Sequence, residues 1–247
     1  MSGLRNARHH ALSDFGEAAQ QQLELASALV IGLGGLGCPA AAYLAAAGAG
    51  RLLLTDFDTV DEANLHRQIL FNPSDTGRDK VAVVAERLSG QNPQVELTLL
   101  RERMDADSLA RRVEQVDVVL DGSDNFATRF AVNDACVAAG TPLVSGSAIR
   151  WSGQLAVFDS RLPDQPCYRC LFPDTDDSEM EDCAGNGVFA PLVGVIGAAQ
   201  AVEAIKLVTG RGESLAGRLL RYDAWSGDWR GSKVRRDPAC PTCGDKA

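Results

Sequence analysis

Four cysteines in two pairs, Cys167-Tyr168-Arg169-Cys170 and Cys240-Pro241-Thr242-Cys243, carry the sharpest spacing signal in the chain. Two residues between thiolates let both sulfurs reach one tetrahedral ion, and two such pairs fill its coordination, leaving no open position for water. The expectation is a structural Zn²⁺ on Cys167, Cys170, Cys240 and Cys243 that ties the C-terminal segment back to the residues near 170. A redox CxxC would open a helix near an N-terminal βαβ unit, and neither pair does.

A second constellation sits near the other end. Gly32-Leu33-Gly34-Gly35-Leu36-Gly37 follows the apolar run Ala28 to Ile31 and opens an alanine-rich stretch, the position in which such glycines bring backbone N–H groups close to a phosphate. Asp56 ends the next apolar run, at the spacing of a carboxylate for ribose hydroxyls. The fingerprint alone fits a nicotinamide enzyme equally well. The segment Asp56 to Gln68 then adds Asn64, Arg67 and Gln68, and Lys80 follows at the start of another helical pattern. Hydride transfer has no use for these groups, whereas a triphosphate, whose leaving pyrophosphate gathers charge, needs fixed cationic donors. Lys80 also reads as a solvated helix-face lysine. Asp124, in Asp121-Gly122-Ser123-Asp124-Asn125, reads either as a helix cap or as a Mg²⁺ ligand at the carboxyl end of a strand.

The elements that must hold these residues alternate. Strands are expected at Ala28 to Ile31, Arg51 to Asp56, Val95 to Leu100 and Val116 to Leu120. Helices are expected at Leu36 to Ala47, Asp79 to Leu88, Asp105 to Glu114 and Phe126 to Ala139. That order predicts an α/β fold: a Rossmann-like, doubly wound, mostly parallel sheet. Pro142 to Ser145 and Gln154 to Phe158 close the sheet, Pro191 to Val208 forms an apolar helix, and Gly217 to Arg235 a strand pair, giving a C-terminal antiparallel part with the four-cysteine clip. The whole, 1–247, reads as one domain with an N-terminal helical arm (1–27), a nucleotide-binding part (28–150) and a C-terminal part that holds the clip (151–247).

A net charge of −9 argues against nucleic acid and anionic membranes as partners. Leu25 to Gly50 carries no charge, but the glycines and Pro39 within it would leave backbone groups unpaired in lipid. With no apolar leader at the N-terminus, a cytoplasmic protein is expected, where cysteines are metal ligands or reactive thiols rather than disulfides.

The motifs GLGGLG, DFDTVDEANLHRQ, SDN, CYRC, APLVGVIG, EAIKL and CPTC together closely resemble the ThiF/MoeB/HesA family of sulfur-carrier adenylyltransferases, relatives of ubiquitin-activating enzymes. The resemblance runs over essentially the whole chain. It implies ATP and Mg²⁺ as cofactors, with Gly34, Gly35, Asp56, Asn64, Arg67, Gln68, Lys80, Asp124 and Asn125 around the nucleotide. It implies a homodimer in which an N-terminal arginine, here Arg8, reaches the partner's ATP, although Asn6 stands where the family usually has an aromatic residue. The substrate implied is the C-terminal Gly-Gly of a ubiquitin-like sulfur-carrier protein, MoaD-type in molybdopterin synthesis by a small margin or ThiS-type in thiamine synthesis. A separate protein would donate the sulfur. Cys183 lies where some members bond covalently to the carrier or its sulfur, although Glu181 and Asp182 beside it oppose a thiolate. The expected catalytic set is Arg67, Lys80 and Asp124, with Cys183 as a covalent link if that step exists. The readings of another class are a nicotinamide-dependent oxidoreductase and a non-catalytic scaffold.

Overall fold

The computed structural model describes residues 4–172 and 186–244. Eight strands form one sheet in the order β3-β2-β1-β4-β5-β6-β7-β8. Strands β1 (Ser27–Ile31), β2 (Arg51–Thr55), β3 (Glu96–Leu100), β4 (Val118–Asp121) and β5 (Leu143–Ile149) run parallel. Strands β6 (Ser152–Phe158), β7 (Arg218–Asp223) and β8 (Asp228–Lys233) continue it antiparallel.

The central strands read as unbroken apolar runs because both faces are covered. All five residues of β1 are buried. Ala28 and Val30 face the core built with α3 (Gly37–Ala47), α4 (Lys80–Gln91) and α8 (Ala190–Thr209). Leu29 and Ile31 face the opposite core built with α5 (Ala106–Val113) and α6 (Phe126–Ala139). The period-two alternation of a strand thus divides one sequence run between two cores. At the far edge β8 is exposed throughout.

Helices α1 (Ala7–His10) and α2 (Gly16–Leu25) form the N-terminal arm, and α7 (Tyr168–Leu171) carries the first cysteine pair. The arm is held through Asn6, which is buried and donates to Glu24 Oε1 at 3.0 Å. Asn6 also stands against Gly48, where a Cβ would lie 3.5 Å from its Nδ2. The residue that replaces an aromatic here is therefore a packing residue.

By length and composition α8 is apolar enough to cross a membrane. It packs instead against α3 and the sheet, and Leu192, Ile196, Ala201 and Ala204 on its inner side are fully buried. The charge-free stretch from residue 25 to 50 resolves into β1, the glycine turn and α3, as its glycines required.

Candidate functional site

The strand order reverses between β1 and β4, since β2 and β3 lie to one side and β4 and β5 to the other. Ligands of open α/β sheets bind at the carboxyl ends of the strands at such a switch point. A cleft of about 720 Å³ opens there, and Gly34, Gly35, Asp56, Asn64, Arg67, Gln68, Lys80, Asp124 and Asn125 all line it.

The glycine turn is shaped by backbone approach. Gly32 has φ +80° and accepts the close passage of the β4–α6 loop, with Gly122 O 3.1 Å from where its Cβ would be. At Gly37 a Cβ would fall 1.8 Å from Gly32 O, so only glycine lets α3 begin where it does. Gly35 faces Val193 of α8, and this contact closes the turn from above.

Asp56 is anchored on both oxygens: Leu33 N donates to Oδ2 at 2.7 Å and Asp58 N to Oδ1 at 2.8 Å. Burial raises its pKa, and the two amides and nearby Lys80 offset only part of that rise. The carboxylate is thus fixed between the glycine turn and the end of β2. Each of its oxygens keeps a lone pair for a hydroxyl donor.

Asn64 ends a 3-10 turn at Glu62–Asn64, capped by Asp61, whose side chain accepts from Ala63 N at 2.7 Å, and Arg67 lies in the turn that follows. Arg67 donates to Asn64 Oδ1 at 2.7 Å and to Ala63 O at 3.1 Å, which fixes the plane of its guanidinium. Gln68 is buried, and its Oε1 has no partner among the described residues, an acceptor left for a donor in the cleft. Lys80 is 5% exposed, and its Nζ pairs with Asp58 Oδ2 at 2.9 Å.

The loop after β4 separates two roles that the sequence leaves merged. Asn125, not Asp124, caps α6, its Oδ1 accepting from Thr128 N at 2.8 Å. Asp124 is exposed at the cleft, and among the described residues its one hydrogen bond is from Asn125 Nδ2, at 3.4 Å. The Asn125 side chain is therefore spent largely on the helix, and Asp124 keeps its carboxylate for the cleft.

Three groups that the sequence reading passed over complete the lining. Arg129, buried on the first turn of α6, donates to Ser123 O at 2.6 Å and Gly146 O at 3.1 Å, stapling the loop to β5. Burial works against its charge, but Asp121, Tyr168 and Asp124 more than compensate and hold it firmly cationic. A signal was present, since Arg129 stands four residues after the cap and so faces back along the helix toward the loop. Arg103 lies over the Phe57 ring, 4.6 Å from its centroid, on the β3 side of Asp56. The third is Asp58, the partner of Lys80, which the motif by itself does not single out.

Arg8 sits on α1, exposed, and does not line the cleft of its own chain. Cys183 lies outside the described residues.

The four clip cysteines meet. Cys167 Sγ is 3.6 Å from Cys240 Sγ and Cys170 Sγ is 3.4 Å from Cys243 Sγ, and all four sulfurs lie within 4.8 Å of one another. Four thiolates at about 2.3 Å from one ion would be about 3.8 Å apart, so the donor set suits a tetrahedral zinc. Burial pushes the Cys167 thiol up to about 11, so a bound cation would be needed to hold it as thiolate at neutral pH.

A doubly wound sheet with a glycine turn at its switch point is the architecture of a nucleotide-binding α/β protein. Crystal structures of MccB from E. coli share it. The complex with ATP superposes with a TM-score of 0.86 at 24% identity, over 97% of this chain and 73% of that one. The complex with AMPCPP and SeMet MccA gives 0.87 at 23% identity, over 99% and 75%. At this identity the likeness is one of fold. The ThiF family model matches residues 6–242, and the chain belongs to the ThiF family.

Among curated relatives, the sulfur carrier protein ThiS adenylyltransferase of Escherichia coli is 47% identical, over 98% of this chain and 95% of its own. The sulfur carrier protein adenylyltransferase of Thermus thermophilus is 43% identical, over 98% and 91%. The adenylyltransferase and sulfurtransferase MOCS3 of Caenorhabditis briggsae is 42% identical, over 98% of this chain but 60% of the longer relative.

Proposed function

We propose that this protein is a nucleotidyltransferase that uses Mg·ATP to adenylate the C-terminal glycine carboxylate of a ubiquitin-like sulfur-carrier protein. The observation that carries the reading is the gathering of Arg67, Lys80 and Asp124 around one cleft that also holds the glycine turn and Asp56. An oxidoreductase leaves the first three idle, and a scaffold leaves the cleft unexplained.

In this reading Asp56 accepts the ribose hydroxyls, the N–H groups of the glycine turn face the phosphates, and Asn64, Arg67 and Gln68 hold their oxygens. Lys80 leaves Asp58 for the phosphate chain. Asp124, a hard oxygen donor that the helix cap does not use, would hold magnesium. That ion would supply positive charge to the phosphates as pyrophosphate departs. The Gly-Gly tail enters without side chains to obstruct it. One carboxylate oxygen attacks the α-phosphorus in line, a new O–P bond forms, the bond to the β-phosphate oxygen breaks, and pyrophosphate leaves. The attacking carboxylate is already ionised, so no protein base is required. Position and charge are the catalysis.

The terminal sulfur of a persulfide on a separate donor protein then attacks the acyl carbon, a C–S bond forms and AMP leaves; a thiol cleaves the acyl disulfide, ending as a disulfide with the donor, and frees the thiocarboxylate, with Cys183 as a candidate covalent station. Arg8 would act on the partner's nucleotide in a homodimer. Zn²⁺ on Cys167, Cys170, Cys240 and Cys243 is structural.

A MoaD-type carrier is proposed first, because the stretches Ser123 to Arg129 and Arg236 to Cys240 resemble those of molybdopterin-pathway members of the family. A ThiS-type carrier is the second reading, favoured by the 47% identical relative named for ThiS. Pull-down against both carriers separates them. The activity itself is tested by carrier-dependent exchange of labelled pyrophosphate into ATP. Exchange is expected in the wild type and lost in Asp124→Ala and Arg67→Ala, and wild-type rates in both variants would remove the mechanism.

A further inference from the structure

Nothing in the cysteine spacing explains why two turns separated by 69 residues should come to rest sulfur against sulfur. A residue that belongs to neither turn supplies the explanation. Asp134 lies on α6, away from the cleft lining. Its Oδ1 accepts from Arg169 Nε at 3.0 Å and its Oδ2 from Arg169 NH2 at 2.8 Å, a two-pronged fork. Oδ1 also accepts from Thr242 Oγ1 at 2.7 Å. Arg169 stands between Cys167 and Cys170, and Thr242 between Cys240 and Cys243. One carboxylate therefore grips an interior residue of each turn.

The surroundings restrict all three groups. The Arg169 guanidinium lies over the Phe130 ring, 4.3 Å from its centroid, so the fork cannot swing freely. Asn133, the preceding residue of α6, donates to Asp134 Oδ1 at 3.1 Å and accepts from Tyr168 N at 2.7 Å, holding the first turn a second time. Tyr168 in turn is buried and lines the cleft, so the same helix residues join clip and cleft wall. An ordinary exposed ion pair contributes little because both partners are free to separate. Here the fork and the hydroxyl share one acceptor, and the ring stack holds the fork in place.

We propose that Asp134 is a positioning residue of the metal clip, a latch that seats both cysteine turns on α6 so that the four sulfurs are gathered before the ion binds. The proposal rests on the zinc reading above. Groups outside the coordination sphere that orient metal ligands commonly change affinity by about 10–100-fold when removed. Closing the long loop between the turns costs entropy, and a latch moves that cost from the binding step to folding.

The test is the rate at which the full-length, zinc-loaded chain surrenders zinc to a chromogenic chelator. Asp134→Ala is expected to release zinc at least tenfold faster than wild type. Asp134→Asn keeps an acceptor for Thr242 but loses the charged fork, and falls between. Thr242→Val accelerates release on its own and adds nothing in the Asp134→Ala background, because both act through one contact. Should Asp134→Ala fail to fold, Asp134→Asn and Thr242→Val still carry the test. Release from Asp134→Ala within twofold of wild type, or independent multiplication of the two single effects, overturns the latch. A wild-type chain that takes up no zinc overturns the metal reading itself.

Discussion

Lys80 and Asp58 form an ion pair of 2.9 Å whose two ends live in different solvents, the lysine side chain being 6% exposed and the aspartate 51%. A buried ammonium needs a partner at all times, whereas an exposed carboxylate gives one up at little cost. The pair is suited to exchange, because a phosphate oxygen can take Lys80 over from Asp58. Asp58→Asn should therefore lower thermal stability without nucleotide, by about 1–3 kcal/mol as for a buried charge that has lost its partner. Saturating Mg·ATP should narrow the gap. Differential scanning fluorimetry with and without nucleotide measures both; an unchanged gap would mean that Lys80 stays with Asp58.

The adjacent residues Asp124 and Asn125 should separate stability from activity. Asn125→Ala removes the cap of α6 and is expected to cost about 1 kcal/mol of unfolding free energy. Among the described residues the Asp124 side chain bonds no backbone group, so Asp124→Asn should unfold like wild type while pyrophosphate exchange falls at least 100-fold, roughly the loss of one strong charge contact in the transition state. Denaturant titration beside the exchange assay checks the pair, and a stability loss in Asp124→Asn would speak for a capping role.

Two glycines of one turn should respond oppositely to the same methyl group. At Gly37 the added carbon would meet backbone 1.8 Å away, and at Gly34 the nearest atom is Gln68 Nε2 at 3.6 Å, an ordinary contact. Gly37→Ala is expected to be destabilised by about 3 kcal/mol or more, and Gly34→Ala to fold as wild type. Melting temperatures of the two variants decide it; equal losses would place the constraint outside the turn.

Acid sensitivity should trace in part to Asp75, which is buried at the end of the 3-10 turn Pro73–Asp75. Burial alone would push its carboxyl up, but the Asn72 amide and the Arg87 and Arg78 guanidiniums overcome this and hold it below the usual carboxylate range. A depressed folded value favours the folded state above the unfolded pKa, about 3.9, and the benefit disappears as pH falls through the folded value. The stability difference between wild type and Asp75→Asn should be full at neutral pH and shrink below about pH 4. A difference that holds constant to lower pH would show that hydrogen bonding rather than ionisation carries it.

The sequence by itself determined the parts of this protein set by short-range stereochemistry. A glycine turn after a buried strand, a carboxylate at the end of the next and an amide, guanidinium and ammonium beyond it all lie where spacing put them, because strand and helix periods fix which end of the sheet each side chain reaches. Each cysteine pair is preset in the same way by its own turn, although the meeting of the two pairs is not. What only the tertiary structure decided is which groups already have partners. Asn125 takes the cap that Asp124 was free to take, Asp58 occupies Lys80, Arg129 staples the loop to β5, and Asp134 joins turns from distant parts of the chain. Such pairings depend on differences of an ångström between elements packed from opposite ends of the sequence, and no local pattern carries that distance.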